Sequence, residues 1–94
     1  MKKVLELLRD PEHWTQHCGA RDIKYNPVGP SSSRAVRWCL LGAMSKTLIR
    51  SLEEEKFRDW LERTHHTENL AEYNDNHTHT EFIAMLEQYI GEGP

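Results

Sequence analysis

The chain of 94 residues has two cysteines, no Cys-x-x-Cys pair and no His-Glu-x-x-His motif. So few cysteines cannot build the disulfide framework of a small secreted domain, and no spaced ligand pairs point to a metal site. The longest apolar run falls far short of the roughly 20 residues that cross a bilayer. Charged residues interrupt the apolar start of the chain, so no secretory signal is expected. We therefore predict a cytoplasmic protein with free thiols, no membrane segment and no bound metal.

Common catalytic and nucleotide-binding motifs are also missing. Neither a glycine-rich phosphate loop nor a Gly-x-Ser-x-Gly turn occurs in the chain. Lys and Arg do not cluster densely enough to bind nucleic acid directly. These absences favour a non-catalytic protein that needs no cofactor and acts by stoichiometric binding to another protein.

Length and composition predict a single helical domain that spans residues 1–94. Hydrophobic residues make up 37% of the chain and charged residues 29%, which is typical of a globular protein and not of a disordered one. A chain of this size buries roughly 60–65% of its surface on folding, so its core is small. We expect Trp14, Trp38 and Trp60 to supply much of that core.

The most apolar segment, Arg34–Met44, predicts a central helix. Its apolar residues are consecutive from Trp38 to Leu41, so no face of that turn is wholly polar, as in helices that other elements surround. Gly42 is small enough for neighbouring backbone to approach closely. Turn-forming residues before this helix predict one long loop over residues 19–33. Because no segment looks like a strand that could pair with another to form a sheet, we expect an all-α bundle of four or five helices.

Further helices are predicted on both sides of this centre. Apolar residues at helical spacing indicate a short helix near the amino terminus and a long helical stretch over residues 45–64. Ser51 with Glu54 resembles a capping box, so that stretch is expected to break and restart there. Thr78 with Glu81 forms a second capping box before the last helix, which Gly91 is expected to end.

The two halves of the chain carry opposite net charges. Residues 1–50 contain nine Lys/Arg and four Asp/Glu, a net charge of +5, whereas residues 51–94 contain three and eleven, a net charge of −8. Either the halves neutralise each other on folding, or an acidic face is exposed and docks on a basic partner. The second interpretation predicts a binding surface built from Glu53, Glu54, Glu55, Asp59 and Glu62.

Two other classes of function stay open. A ligand-binding module would hold a small anion or a nucleotide near Arg21, Arg34, Arg37 and Trp38, where an arginine could also stack on an aromatic ring. An enzyme would use Asp22, Asp75 or a histidine for acid–base catalysis. Carboxylates at such loop and helix ends more often accept hydrogen bonds from backbone amides.

The histidines and cysteines are the remaining candidates for chemistry. His13 and His17 are four residues apart and would share one face if this segment were helical, with Cys18 adjacent. Dispersed surface histidines are the plainer interpretation, so no metal site is predicted. Cys39 lies in the most apolar segment, where a thiol behaves as a small hydrophobic side chain.

Three groups of residues together form a recognisable pattern. They are Trp14-Thr15-Gln16 with Ala20-Arg21-Asp22, the segment from Ala35 to Ala43, and Tyr73-Asn74-Asp75 with Thr78 to Glu81. This pattern resembles a widespread uncharacterised family of small bacterial and phage-borne domains, and it covers most of the chain from Trp14 onward. Residues 51–72, where the acidity is concentrated, contribute little to the resemblance.

The resemblance implies a bacterial or phage setting and supplies no activity, cofactor or catalytic residue. Three features favour a protein that acts by binding another protein. They are the small size of the chain, the lack of a catalytic set of residues and the charge asymmetry between its halves. The protein is expected to act as a phage or mobile-element inhibitor of a host defence complex. It would bind a basic surface of its partner through acidic residues.

Overall fold

The structure, a computed structural model, describes residues 1–67 and 69–92. In this part of the chain, five α-helices accompany one small sheet. The helices are α1 (Lys2–Leu8), α2 (Leu40–Lys46), α3 (Ser51–His65), α4 (Leu70–Asp75) and α5 (His79–Glu92). The strands are β1 (Ala20–Arg21), β2 (Pro27–Val28) and β3 (Arg37–Trp38), and a 3₁₀ turn covers Pro11–His13. None of the described helices is both long and apolar enough to cross a membrane.

The expectation of an all-α fold is wrong, because the three strands form an antiparallel sheet with β1 in the centre. Ala20 of β1 faces Val28 of β2 on one side and Trp38 of β3 on the other. Each strand contributes only two residues to the ladder, so none is long enough to show an alternating pattern in the sequence. The domain is therefore mixed α/β.

The segment Arg34–Met44 does not form the predicted single helix. Its first half is extended, because the backbone N–H of Val36 donates to Arg21 and that of Cys39 donates to Gly19. Only the second half is helical, and it starts at Leu40 with Cys39 in the capping position. Backbone pairing with β1 thus outweighs the helical preference of this apolar run.

The core lies where α2 packs against α1 and α4, and where α1 packs against α5. Trp38 and Trp60 are buried, as predicted, whereas Trp14 is half-buried and stacks on the Phe82 ring with 5.7 Å between centroids. The largest fully buried apolar side chains come from all five helices. They are Val4, Leu8, Leu40, Phe57, Leu61, Leu70, Phe82, Met85 and Leu86.

The long helical stretch predicted over residues 45–64 is interrupted. α2 ends at Lys46 and α3 begins at Ser51, so the predicted restart at this point is confirmed. The predicted capping role of Ser51 is wrong, because Arg50 occupies the capping position and makes no side-chain cap bond. Within the connecting turn, Leu48 has a φ of 57° and a side chain that is 85% exposed.

The last helix begins with the predicted capping box. The backbone N–H of Glu81 donates to Thr78 Oγ1 at 3.2 Å, and the backbone N–H of Thr78 donates to Glu81 Oε1 at 2.9 Å. The hydrogen bonds from Thr78, the backbone one first, lower the pKa of the Glu81 carboxyl. The predicted end at Gly91 is wrong, because α5 continues to Glu92.

This capping box leads to two predictions for the stability of the domain. Thr78→Ala removes one bond to the first turn and should lower the free energy of unfolding by about 1 kcal/mol. The carboxylate of Glu81 stabilises the fold above its unfolded pKa of about 4.3, and this contribution is lost as the pH falls through the lower folded pKa. The stability advantage of the wild type over Glu81→Gln should therefore shrink on acidification. Urea unfolding at pH 7 and pH 3 measures both effects.

The matched control for the hydroxyl is Thr80→Ala, since Thr80 is exposed in the same turn and makes no side-chain capping bond. This control should lose no stability, because alanine is the better helix former. Equal stabilities of Thr78→Ala and Thr80→Ala, or an advantage of wild type over Glu81→Gln that grows at low pH, would contradict the assignment.

Candidate functional site

α3 is anchored to the domain by one apolar side. Phe57, Trp60 and Leu61 are buried, and the rings of Phe57 and Trp60 both meet the ring of Tyr89 in α5. The ring centroids are 5.0 and 5.1 Å apart, in edge-to-face geometry. Such aromatic contacts fix the rotation of a helix about its own axis. The opposite side of α3 therefore faces solvent in a defined orientation.

Three of the five predicted acidic residues form an exposed stripe on that opposite side. Glu55, Asp59 and Glu62 are exposed, and their spacing places them on one helix face over about 10 Å. Their carboxylates make no hydrogen bond or ion pair with any described residue. We call these three residues the acidic stripe.

The other two predicted acidic residues are engaged inside the domain. Glu53 Oε1 lies 3.0 Å from the amino group of Met1, and Glu54 pairs with Arg58 four residues later in α3 at 3.3 Å. The Met1–Glu53 contact joins the two oppositely charged halves of the chain. The predicted five-residue surface thus divides into a paired part and the unpaired acidic stripe. Binding of a partner by this stripe stays a prediction.

Two residues of the alternative anion site use their donors within the domain. Arg21 donates from Nε to Thr15 Oγ1, from Nη1 to the carbonyl of Tyr25 and from Nη2 to that of Gln16, at 2.9 to 3.2 Å. Arg37 donates from Nη1 to a backbone carbonyl at 3.0 Å, and its guanidinium carbon lies 3.9 Å from the Tyr25 ring centroid. The stacking of an arginine on an aromatic ring is confirmed, and it helps to hold the loop between β1 and β2.

Trp38 and Arg34, the other two residues of that site, lie in unlike surroundings. The Trp38 ring is buried, and its Nε1 donates to the carbonyl of Pro30 at 2.9 Å. Arg34 is exposed and borders a hollow of about 550 Å³ together with Asp22 and Lys24. The four predicted anion-binding residues therefore do not bring their polar groups together at one open site.

Asp22 and Asp75 each accept hydrogen bonds from backbone amides. Asp22 Oδ1 accepts from the N–H groups of Lys24 and Asn26, both at 2.9 Å, and these bonds, that of Asn26 first, lower the pKa of its carboxyl. Asp75 Oδ1 accepts from the backbone N–H of His17 at 2.9 Å. Both carboxylates thus tie loops to the domain, which is the predicted alternative to acid–base catalysis.

Two of the histidines hydrogen-bond to backbone carbonyls of α4 and α1. His13 and His17 do not share a helix face, because the 3₁₀ turn ends at His13 and His17 has a φ of 71°. The His77 Nδ1 and His79 Nε2 atoms lie 2.7 Å from the carbonyls of Tyr73 and Leu8, so each of these nitrogens carries the proton. Within residues 1–67 and 69–92, no three His, Cys, Asp or Glu side chains are grouped as metal ligands.

Cys39 has a structural role at the start of α2. Its Sγ accepts from the backbone N–H of Gly42 at 3.3 Å, and burial raises the pKa of its thiol. The thiol therefore stays protonated at neutral pH, as expected of a small buried hydrophobic side chain. Cys18 is half-buried, and both thiols are free.

Asn74 joins three segments of the chain, a role that its place in the sequence does not indicate. Its side chain is fully buried. Oδ1 accepts from Trp14 Nε1 at 2.8 Å and from the backbone N–H of Leu40 at 3.0 Å. Nδ2 donates to the carbonyl of Thr15 at 3.0 Å and to Asp75 Oδ1 at 3.1 Å. All four hydrogen-bonding positions of the amide are therefore used.

Gln16 completes this polar centre from the neighbouring loop. Its Nε2 lies 3.0 to 3.2 Å from the carbonyls of Asn74, Asp75 and His77, at the carboxyl end of α4. Helix ends carry carbonyls without intrahelical partners, so this amide satisfies groups that burial would otherwise leave unpaired. The segments that carry the family resemblance thus meet at a structural centre, and the acidic stripe lies outside it.

These features define a small mixed α/β domain whose buried polar groups serve the fold and whose unpaired acidic stripe lies on α3. The chain belongs to the family of unknown function DUF6197, whose family model matches residues 1–92. This match confirms the resemblance to an uncharacterised family. No curated protein and no solved structure matches the chain.

Proposed function

We propose that the protein is a non-catalytic, stoichiometric protein-binding domain whose acidic stripe docks on a basic surface of its partner. The observation that carries this proposal is the alignment of Glu55, Asp59 and Glu62 on one exposed helix face without partners in the described chain. A cationic partner adds attraction over the whole length of the stripe.

Repulsion within the stripe supports the same proposal. Glu55 and Asp59 are four residues apart, and Asp59 and Glu62 are three apart, so like charges are neighbours on the helix surface. Each such pair costs an isolated helix about 0.2–0.5 kcal/mol, and the cost is largest at low salt. A basic partner relieves this repulsion when it binds. Association should therefore be fast and strongly dependent on ionic strength.

The stripe is presented on a rigid support. The side of α3 behind it is held by Phe57, Trp60 and Leu61, so the backbone positions of the three acidic residues are fixed without a partner. A rigid backbone support reduces the conformational entropy that is lost on binding. In its finer form, the proposal is a cytoplasmic inhibitor, encoded by a phage or mobile element, of a host defence complex. The small size and the charged stripe support this form.

The test compares two variants that change the net charge by the same amount. The stripe variant is Glu55→Gln/Asp59→Asn/Glu62→Gln, and the control variant is Glu6→Gln/Glu12→Gln/Glu87→Gln. All six residues are exposed, so both proteins should fold like the wild type. In a pull-down from bacterial host lysate, the wild type and the control variant should retain one partner at low salt. They should release it at high salt, because salt screens surface charges. The stripe variant should bind that partner at least tenfold more weakly, as measured by titration of the purified pair.

Three results would contradict the proposal: no partner retained at low salt, equal affinity of the stripe and control variants, or cross-links that map the partner away from α3. Thermal unfolding in the presence of a nucleotide panel separates the alternative ligand-binding module. A ligand of the folded state raises the unfolding temperature by mass action, and we expect no such rise.

A further inference from the structure

A second surface feature, distinct from the acidic stripe, lies where α1, α3, α5 and the turn between α2 and α3 meet. It is a half-open groove of about 680 Å³. Its apolar lining comes mainly from the turn, from α3 and from α5. These residues are Leu48, Ile49, Leu52 and Ile90. Four cationic side chains border the same space, and they are Lys2, Lys3, Arg50 and Lys56. We call this feature the basic groove.

The apolar part of the groove is unusually exposed. The side chains of Leu48 and Leu52 are 85% and 62% exposed, the largest values among the exposed leucines of the described chain. Leu48 also adopts a left-handed backbone conformation, which is uncommon for a side chain of this size. The turn is held by backbone bonds from Leu48 to Ser45 at 3.2 Å and from Ile49 to Met44 at 3.1 Å. The chain therefore holds an apolar side chain out into water.

The charge around these leucines is positive and unpaired. All four cationic residues are exposed, and none forms an ion pair with a described residue. The single carboxylate in the lining, that of Glu53, is already paired with the amino group of Met1. The groove thus combines an apolar centre with a cationic border, and it favours a partner with the opposite arrangement of charge.

We propose that the basic groove binds an acidic segment of a protein, in which apolar side chains cover Leu48 and Leu52 and flanking Asp or Glu residues meet the four cations. A protein segment fits better than a small molecule, because pockets for small ligands bury most of the ligand surface. This groove leaves its own leucines mostly in water, so it cannot enclose a small ligand. An acidic segment uses the unpaired cations that a neutral segment would leave bare.

The experiment selects peptides on the whole protein, and the selected sequences themselves reveal the chemistry that the groove recognises. Random 16-residue peptides displayed on phage are selected on immobilised wild type and counter-selected on Leu48→Ser. Enriched peptides should carry net negative charge and apolar anchors. As synthetic peptides they should lose at least tenfold in affinity for Leu48→Ser and for Lys2→Gln/Lys3→Gln/Lys56→Gln. Amide shifts in ¹⁵N spectra of the wild type should map to the basic groove.

Two control proteins test whether binding is local to the groove. Ile23→Ser removes an apolar side chain that is 75% exposed in the loop between β1 and β2. The stripe variant of α3 removes three charges outside the groove. Both should bind the selected peptides like the wild type.

Several outcomes would overturn the proposal. They are an enrichment of basic or neutral peptides, a failure to obtain peptides that bind the wild type but not Leu48→Ser, or equal affinity of the selected peptides for the wild type and the groove variants. Displacement of the peptides by dodecanoate at equal affinity would assign the groove to a small amphiphile instead. Concentration-dependent association of the protein alone, abolished by Leu48→Ser in sedimentation velocity, would assign it to a second copy of this chain.

Discussion

Asn74→Ala is expected to lower the free energy of unfolding by about 3–5 kcal/mol. Asn74 is fully buried, and its removal leaves Trp14 Nε1, the N–H of Leu40 and the carbonyl of Thr15 without their partners. Each unsatisfied buried group costs about 1–3 kcal/mol. A domain of this length has a total stability of about 5–14 kcal/mol. The variant should therefore lose a large fraction of the domain's stability.

Two further substitutions distinguish hydrogen bonding from packing. Asn74→Asp keeps the size of the side chain, but it replaces a donor with an acceptor opposite the Thr15 carbonyl and the Asp75 carboxylate. It should destabilise the domain at least as much as alanine does. Asn76→Ala, at an exposed amide whose side chain bonds to no described residue, is the control and should change stability by less than about 0.5 kcal/mol. Urea unfolding followed by tryptophan fluorescence measures all three. A loss under 1 kcal/mol for Asn74→Asp would contradict the assigned network.

Local signals account for the elements that were predicted correctly. The reciprocal bonds of Thr78 and Glu81 involve residues three apart, so the capping box that starts α5 is visible in the sequence. The helix restarts near Ser51 as predicted, but the capping box on which that prediction rested does not form, because Arg50 occupies the capping position. The sheet is not local, because Arg21 pairs with Arg37 across a loop and each strand is only two residues long. Its strands lack the alternation that identifies a strand in a sequence.

The error over Arg34–Met44 has the same physical origin. An apolar run without a polar face is compatible with a buried helix and with a buried strand, and periodicity cannot separate the two. Backbone groups of Val36 and Cys39 bond to Arg21 and Gly19, residues whose path depends on the whole loop. Tertiary pairing therefore decides where the strand ends and α2 begins.

The acidic stripe could be predicted in part, because helical spacing alone places Glu55, Asp59 and Glu62 on one face. The pairing of Glu53 could not, since it depends on the approach of Met1 from the other end of the fold. The contacts of Arg21, a residue of the predicted anion site, could not be predicted for a similar reason. The donors of Arg21 meet carbonyls of loop residues whose positions the sequence does not indicate.

The basic groove shows the limit of sequence reasoning most directly. It needs a turn at Leu48, in a stretch where helical spacing predicts helix up to a break at Ser51, and it needs the ends of α1 and α5 at that turn. Its neighbour, the acidic stripe, lies on α3. The side chain of Asn74 uses its hydrogen-bonding groups within the fold, whereas the charged groups of the stripe and of the groove border point to solvent. We therefore expect the polar centre around Asn74 to maintain the fold, and α3 with its surroundings to determine the partner.

Gly42→Ala is expected to lower the free energy of unfolding by about 3 kcal/mol, although glycine-to-alanine changes in helices usually stabilise by about 1 kcal/mol. Gly42 lies in α2 against the backbone of Gly19, the residue that precedes β1, and its small size predicted such a close approach. A Cβ at this position would overlap the carbonyl oxygen of Gly19 and lie 2.8 Å from its carbonyl carbon. The same carbonyl accepts the backbone N–H of Cys39 at 3.1 Å. Because backbone cannot move aside like a flexible side chain, α2 and β1 must separate.

Gly91→Ala is the matched control, since Gly91 is helical in α5 and an added Cβ meets no atom of residues 1–67 and 69–92 within 4 Å. This substitution should stabilise the domain by up to about 1 kcal/mol, because alanine loses less backbone entropy than glycine. The same substitution, glycine to alanine, should therefore lower the stability at Gly42 and raise it at Gly91. Thermal and urea unfolding give both signs, and hydrogen exchange at the Cys39 amide reports the weakened bond to Gly19. A stabilised Gly42→Ala protein with an unchanged exchange rate at Cys39 would show that α2 and β1 do not pack in the way described.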